Sequence, residues 1–201
     1  MTALDQFTAR PARPADTGQA PPLREASRLL AWRLAYLRTR NPVVLGIPRR
    51  GVVVGREVAK ALHAPLDVVL VHKIFAPGPE THAIGAVGEG GITVIDKALV
   101  AAYGVLPDEV TRSADRVRAE LAHEAFIYRR GNRPVSLAGK TIVLTDDGIE
   151  TGSTINAAVD ALRAREPARL IVAVVNAPAE KLAALAEHVD RTMSLFPIAT
   201  G

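Results

Sequence analysis

The chain has no cysteine. That excludes a disulfide scaffold and thiolate chemistry, and it suits a reducing, cytoplasmic setting. Aromatic residues make up only 4% of the sequence, which argues against the base-stacking platforms of single-strand nucleic-acid binders. No apolar run approaches the roughly 20 residues of a membrane-spanning helix, and no membrane partner is expected. The opening "MTALDQFTARPARPADTG" lacks the apolar centre of a secretory signal. Nor is there a dense basic run. The 25 basic and 21 acidic residues leave a net charge of +4, an excess that suits anionic small molecules better than a nucleic-acid partner. The 201 residues are enough for one domain that buries a core without metal or disulfide.

What is present has a rhythm. Residues 1–22 hold Pro11, Pro14, Pro21 and Pro22 and read as a flexible N-terminal arm. Residues 23–37 carry Leu29, Leu30, Leu34 and Leu37 at helical spacing. Apolar runs at 43–47, 66–74, 140–147, 168–177 and 191–196 then alternate with helical patterns at 51–62, 152–164 and 179–188. Strand and helix in turn predict a parallel sheet covered by helices. Residues 75–135 depart from this order: a Gly- and Pro-rich stretch at 75–91 reads as a mobile loop, 92–95 as a short strand, 96–104 and 107–130 as helices. The expected organisation is a single domain over 23–201 with a small insertion, or hood, at about 75–135.

Chemistry concentrates in "TIVLTDDGIETGST", residues 141–154. Ligands of open parallel sheets sit beyond the carboxyl ends of the strands. Asp146 and Asp147 fall at such an end, and Gly148, Ile149, Glu150, Thr151, Gly152, Ser153 and Thr154 lead from it into a helix. A helix start offers free N–H groups and a positive dipole end to an anion, and small hydroxyl residues let a phosphate approach. The lysine of a Walker loop is missing. Two carboxylates that accept hydroxyl donors, followed by a phosphate-binding loop, suit a vicinal diol beside a phosphate: a ribose 5-phosphate. A plain strand–turn–helix capped by Thr151 or Ser153 is the competing reading, and it leaves the paired acids unexplained.

A second strand–loop–helix junction, "IPRRGV" at 47–52, places Arg49 for bidentate phosphate binding, with Arg50 and Gly51 behind it. Lys73 closes the strand at 66–74. His72 and His82 are weaker candidates, and no His, Asp and Glu set has the spacing of a zinc site. Phe196 could stack on a base or pack in the core.

"IVLTDDGIETGST" resembles the 5-phosphoribosyl-1-diphosphate (PRPP) motif of type I phosphoribosyltransferases. "GIPRRGVVVGREVAKAL", "LDVVLVHKI" and "AIGAV" extend the resemblance from about residue 43 to 180, toward bacterial phosphoribosyltransferase-domain proteins of poorly assigned substrate. The resemblance implies a Rossmann-like α/β fold with a hood over the base. It also implies transfer of the 5-phosphoribosyl group from PRPP to a nucleobase-like acceptor, usually by a homodimer. Asp146 and Asp147 would hold the sugar, residues 148–154 the 5-phosphate, and Arg49, Arg50, Gly51 and Lys73 the pyrophosphate. Magnesium would come mainly with PRPP, Asp146 being a possible ligand. Arg50 replaces the glycine common at its place, where a positive φ would be costly for arginine. Glu150 stands where the branch acting on 6-oxopurines has an aspartate that serves as acid or base, which implies a catalytic role here and a purine-like acceptor. The alternative class is a PRPP- or nucleotide-sensing regulator, or a non-catalytic binder, on the same fold. Arg112, Arg116 and Arg118 on the charged helix keep a regulator open.

Overall fold

A computed structural model describes residues 21–78, 82–89, 91–130 and 132–198. Residues 1–20 of the expected arm therefore lie outside the described residues. In chain order the first elements are α1 (Leu23–Arg33), a short 3-10 turn (Ala35–Leu37), β1 (Pro42–Gly46), α2 (Arg50–Leu62), β2 (Leu66–Val68), β3 (Val71–Phe75), β4 (Ala83–Gly88) and β5 (Thr93–Ile95). There follow α3 (Lys97–Ala102), α4 (Pro107–Arg129), β6 (Thr141–Gly148), α5 (Ser153–Arg163), β7 (Arg169–Pro178), α6 (Ala179–Ala186) and β8 (Arg191–Ile198). They divide into two compact units. The first takes the described residues up to Val68, Leu137–Glu150 and those from Pro167 on; the second takes Val69–Ser136 and Thr151–Glu166.

The first unit is a five-stranded parallel sheet in the order β2-β1-β6-β7-β8. Its central strands β1, β6 and β7 are apolar over most of their length, as parallel strands buried on both faces must be. Val44, Ile142, Val143, Leu144, Leu170, Val172 and Val174 are almost wholly excluded from water. Helices α1 and α2 cover one face. There Leu30, Leu34, Val54, Val58 and Leu62 pack with Val143, Ile171, Ala173 and Val175. The register pairs Gly46 with Thr145 and Gly148 with Asn176. This brings the carboxyl ends of β1, β6 and β7 to one edge of the sheet, the edge where ligands of such sheets bind.

The second unit has a three-stranded antiparallel sheet, β3-β4-β5. Cross-strand partners share a face, so Val71 lies with Gly88 and Lys73 with Ala86, while His72 and Val87 face the other way. Helix α5 lies on the first face: a Cβ added to Gly88 would meet Ala161. Helix α4 lies on the second, where the His72 ring reaches the Glu124 carboxylate at 2.6 Å.

Two expectations change here. The run 66–74 is not one strand. It breaks at Val69 and Leu70, and its halves enter different sheets, one parallel and one antiparallel. The stretch 75–91 is not a loop throughout, because β4 lies inside it; Pro79, Glu80, Thr81 and Gly90 are outside the described residues. Gly85 and Gly88 are there for close approach, whereas Gly78 and Gly91 take positive φ in open space. A side chain on Gly85 would strike the carbonyl oxygen of Val94 on the neighbouring strand.

Candidate functional site

The carboxyl edge of the first sheet is assembled by close backbone contacts. The Thr145 hydroxyl is buried within hydrogen-bonding distance of the carbonyl oxygens of Leu45 (3.2 Å) and Gly51 (3.1 Å), which ties β6 to the turn between β1 and α2. The Ile47 N–H donates to the Thr145 carbonyl at 3.1 Å. A Cβ on Gly46 would lie 2.7 Å from the Val52 Cα, and one on Gly51 would lie 2.6 Å from the Thr145 carbonyl oxygen. Side chains are therefore excluded on both sides of the turn. The strain falls between them, on Arg49, at φ 74° and ψ −103°. A non-glycine residue in such a region costs about 1–3 kcal/mol and persists only where its surroundings demand it.

Asp146 and Asp147 close β6. The Asp147 N–H donates to Asp146 Oδ1 at 2.8 Å. Burial pushes the Asp146 carboxyl up to about 7; the bond from the Asp147 N–H opposes this, the Asp147 charge adds to it, and Arg50 draws it down. Near neutral pH the Asp146 carboxyl is therefore partly protonated, which lowers the negative charge at this strand end. Arg50, the first residue of α2, forms an ion pair with it through Nε. Beyond the acids, the Ile149 N–H bonds the Asn176 carbonyl at 3.1 Å, and the Asn176 side chain lies against Gly148, leaving no room for a Cβ there.

In the second unit, residues Thr151–Thr154 open α5. Gly152 takes φ 83°, a left-handed value that suits glycine at this turn. The Thr151 and Ser153 hydroxyls are 3.0 Å apart. Lys73 Nζ, from β3, donates to Ser153 Oγ at 2.5 Å. A cation, two hydroxyls and the first N–H groups of an 11-residue helix are thereby gathered at one helix start, a set that attracts an anion.

The family model described as "Phosphoribosyl transferase domain" matches residues 19–198. The chain belongs to this family. It is 38% identical over 171 residues to a Mycobacterium tuberculosis protein named "Putative phosphoribosyl transferase", covering 85% of this chain and 39% of that protein. The chain thus spans about two-fifths of the length of the curated relatives it matches. Among solved structures, TT1426 from Thermus thermophilus is 40% identical, with a TM-score of 0.77 over 88% of this chain and 83% of that one. A hypothetical protein from Neisseria gonorrhoeae, solved with bound ppGpp, shares the fold at 14% identity and a TM-score of 0.52, over 88% of this chain and 79% of that one.

As a phosphoribosyl transferase domain, the chain distributes its sequence-derived candidates as follows. Asp146, Asp147, Gly148, Arg49, Arg50 and Gly51 gather at one edge of the first unit, where Ile149 is buried and Glu150 exposed. Lys73 meets the Thr151–Thr154 loop of the second. The expectation for Arg50 is corrected: the positive φ falls on Arg49, so Arg50 is helical and keeps its side chain for Asp147. His72 is engaged by Glu124, and the His82 ring stacks on Tyr103 with centroids 4.5 Å apart. Arg118 is turned to Asp115 and to the Thr93 hydroxyl. Phe196 on β8 is partly exposed and lies outside the core of the first unit. Sequence reading missed Thr145 and Asn176. Both are polar residues at the carboxyl ends of apolar strands, and that position was the signal. Among the described residues no group of three or more metal-ligating side chains occurs, and no helix is long and apolar enough to cross a membrane.

Proposed function

We propose that this domain transfers the 5-phosphoribosyl group from PRPP to a nitrogenous base. The bond from the ribose C1 to the diphosphate oxygen breaks, a bond from C1 to the base nitrogen forms, and that nitrogen loses its proton. The observation that carries this reading is the half-buried Asp146–Asp147 pair at the sheet edge, in a chain whose match to the family covers nearly all of it. With the Asp146 carboxyl pushed up to about 7 and the Asp147 carboxylate paired with Arg50, the two can accept the sugar hydroxyls without repelling a polyanionic substrate as two uncompensated charges would.

In this reading Thr151–Thr154 take the 5-phosphate. Arg49 and Arg50 take the diphosphate, whose charge grows as the bond to C1 breaks; Lys73 adds its charge at the Thr151–Thr154 helix start. Two carboxylates, one already ion-paired, do not make a metal cage. Magnesium therefore fits as a partner of the diphosphate, with Asp146 as its one candidate protein ligand, and when bound it neutralises the leaving group. Glu150 is exposed and so able to exchange a proton with a base. It favours a purine-like acceptor, and the reading includes salvage by a cytoplasmic homodimer. A panel of nucleobases with PRPP and Mg, read as pyrophosphate released, tests the reaction; no release with any base would overturn it. With the best purine, Glu150→Gln is expected to lower kcat about 100-fold, the usual scale for general acid–base catalysis. Unchanged turnover would remove Glu150 from the mechanism.

A further inference from the structure

Arg50 does more than add a cation. Its side chain is 67% exposed and anchored by one ion pair, whereas its partner Asp147 is 29% exposed and fixed at the strand end. A largely hydrated pair of this kind is weak and exchanges readily. The Asp147 carboxylate, which the proposed reaction places on the sugar hydroxyls, is therefore covered by a guanidinium from a helix of the same unit. That guanidinium is attached at the first turn of α2, a 13-residue helix whose leading N–H groups lack helical partners, directly after the strained Arg49. A diphosphate drawn to this turn offers Arg50 a doubly charged, bidentate partner, which competes well against a single carboxylate oxygen.

From this pairing we infer that Arg50 is a specificity residue, an exchangeable counter-ion that keeps Asp147 closed to hydroxyls until a diphosphate group draws it away. The inference rests on the proposed reaction for the identity of the sugar. Its consequence is coupling: recognition of the diol and recognition of the diphosphate favour each other, and by linkage the effect is reciprocal. The site then prefers a sugar phosphate that bears a diphosphate over the same sugar phosphate without it.

The test uses calorimetry with ribose 5-phosphate and with inorganic pyrophosphate, together with the carbon NMR resonance of the Asp147 carboxylate. Arg50→Ala is expected to bind ribose 5-phosphate about 5-fold more tightly than the native protein, the low end of typical coupling, and pyrophosphate more weakly. Arg50→Lys, which retains the charge, should restore most of the difference. Pyrophosphate alone should shift the Asp147 resonance in the native protein and leave it unmoved in Arg50→Ala. If pyrophosphate fails to bind, binds without moving Asp147, or moves it equally in the variant, the exchange is wrong whatever reaction the protein catalyses. If ribose 5-phosphate binding is unchanged or weaker in Arg50→Ala, the specificity role is wrong. If pyrophosphate moves Asp147 but no ribose phosphate binds at all, the counter-ion exchange stands and the reaction reading fails.

Discussion

Two stretches adjacent in sequence handle charge in opposite ways. At Asp146–Asp147 the acids are half-buried, burial pushes the Asp146 carboxyl up to about 7, and Arg50 pairs with Asp147; the neighbouring turn is strained and closed to side chains. At Thr151–Thr154, a few residues later and in the other unit, no acid is present, and a lysine and two hydroxyls await an anion beside a helix start. The first stretch is balanced internally, and the second is balanced only when a ligand arrives. Substitutions in the first should therefore register in stability, and those in the second in binding and rate.

The largest effect should come from Gly51→Val. Its side chain would press on the backbone oxygen of Thr145, which cannot move without disturbing β6. A loss of about 3 kcal/mol in denaturant unfolding is expected; a loss well under 1 kcal/mol would show that the turn is looser than its geometry. Next, Lys73→Met should leave the melting temperature within a few degrees and lower kcat/KM on the order of 100-fold, the scale of removing one electrostatic stabiliser. A large drop in stability with little change in rate would invert the comparison.

Asp146→Asn sharpens the contrast through pH. The folded carboxyl titrates at about 7, far above its ordinary value of 3.8. Between those values the folded protein binds more protons than the unfolded chain, so native stability falls as pH rises from about 4 to 7 and is flat outside that window. The asparagine variant lacks the penalty. It should be more stable than the native protein by about 2 kcal/mol at pH 8, after discounting for partial exposure, with no difference near pH 3. Equal pH profiles would show that burial does not hold the proton. The smallest effect is expected from Arg49→Gly. The dihedral pair at Arg49 is ordinary for glycine, and relief of strain less the added unfolded-state entropy should give about 1 kcal/mol. Pyrophosphate affinity should fall in the same variant, separating conformational cost from charge.

The central strands of the parallel sheet were legible because strands buried on both faces must be apolar, and "VVLGI", "IVL" and "LIVAVV" show that. The site was legible for the same reason: paired acids and a Thr-Gly-Ser-Thr run at strand ends are out of place in a core. The second sheet was not. Its strands are short and glycine-bearing, so Gly85 and Gly88 read as loop although each marks a close approach. The break at Val69 and Leu70 is hidden too, since both residues are apolar and buried. Only the pairing partners tell where one strand ends. Local residues could not reveal that Arg50 turns toward Asp147, nor that the backbone places its strain one residue earlier.

Helix α1 is attached to α2 in a way that tolerates damage. Beside its apolar stripe, Arg24 and Arg28 both converge on Glu57, at 3.1 and 3.4 Å, with Lys60 close by at 3.8 Å. Burial alone would push the Glu57 carboxyl up, but the two arginines and Lys60 hold it below its usual range. Either arginine can be lost while the other still serves the carboxylate, so the arrangement is redundant on the cationic side and has a single point of failure on the anionic side. Inherited drift at positions 24 and 28 can therefore pass unnoticed one substitution at a time, whereas a change at position 57 leaves three positive charges facing one another.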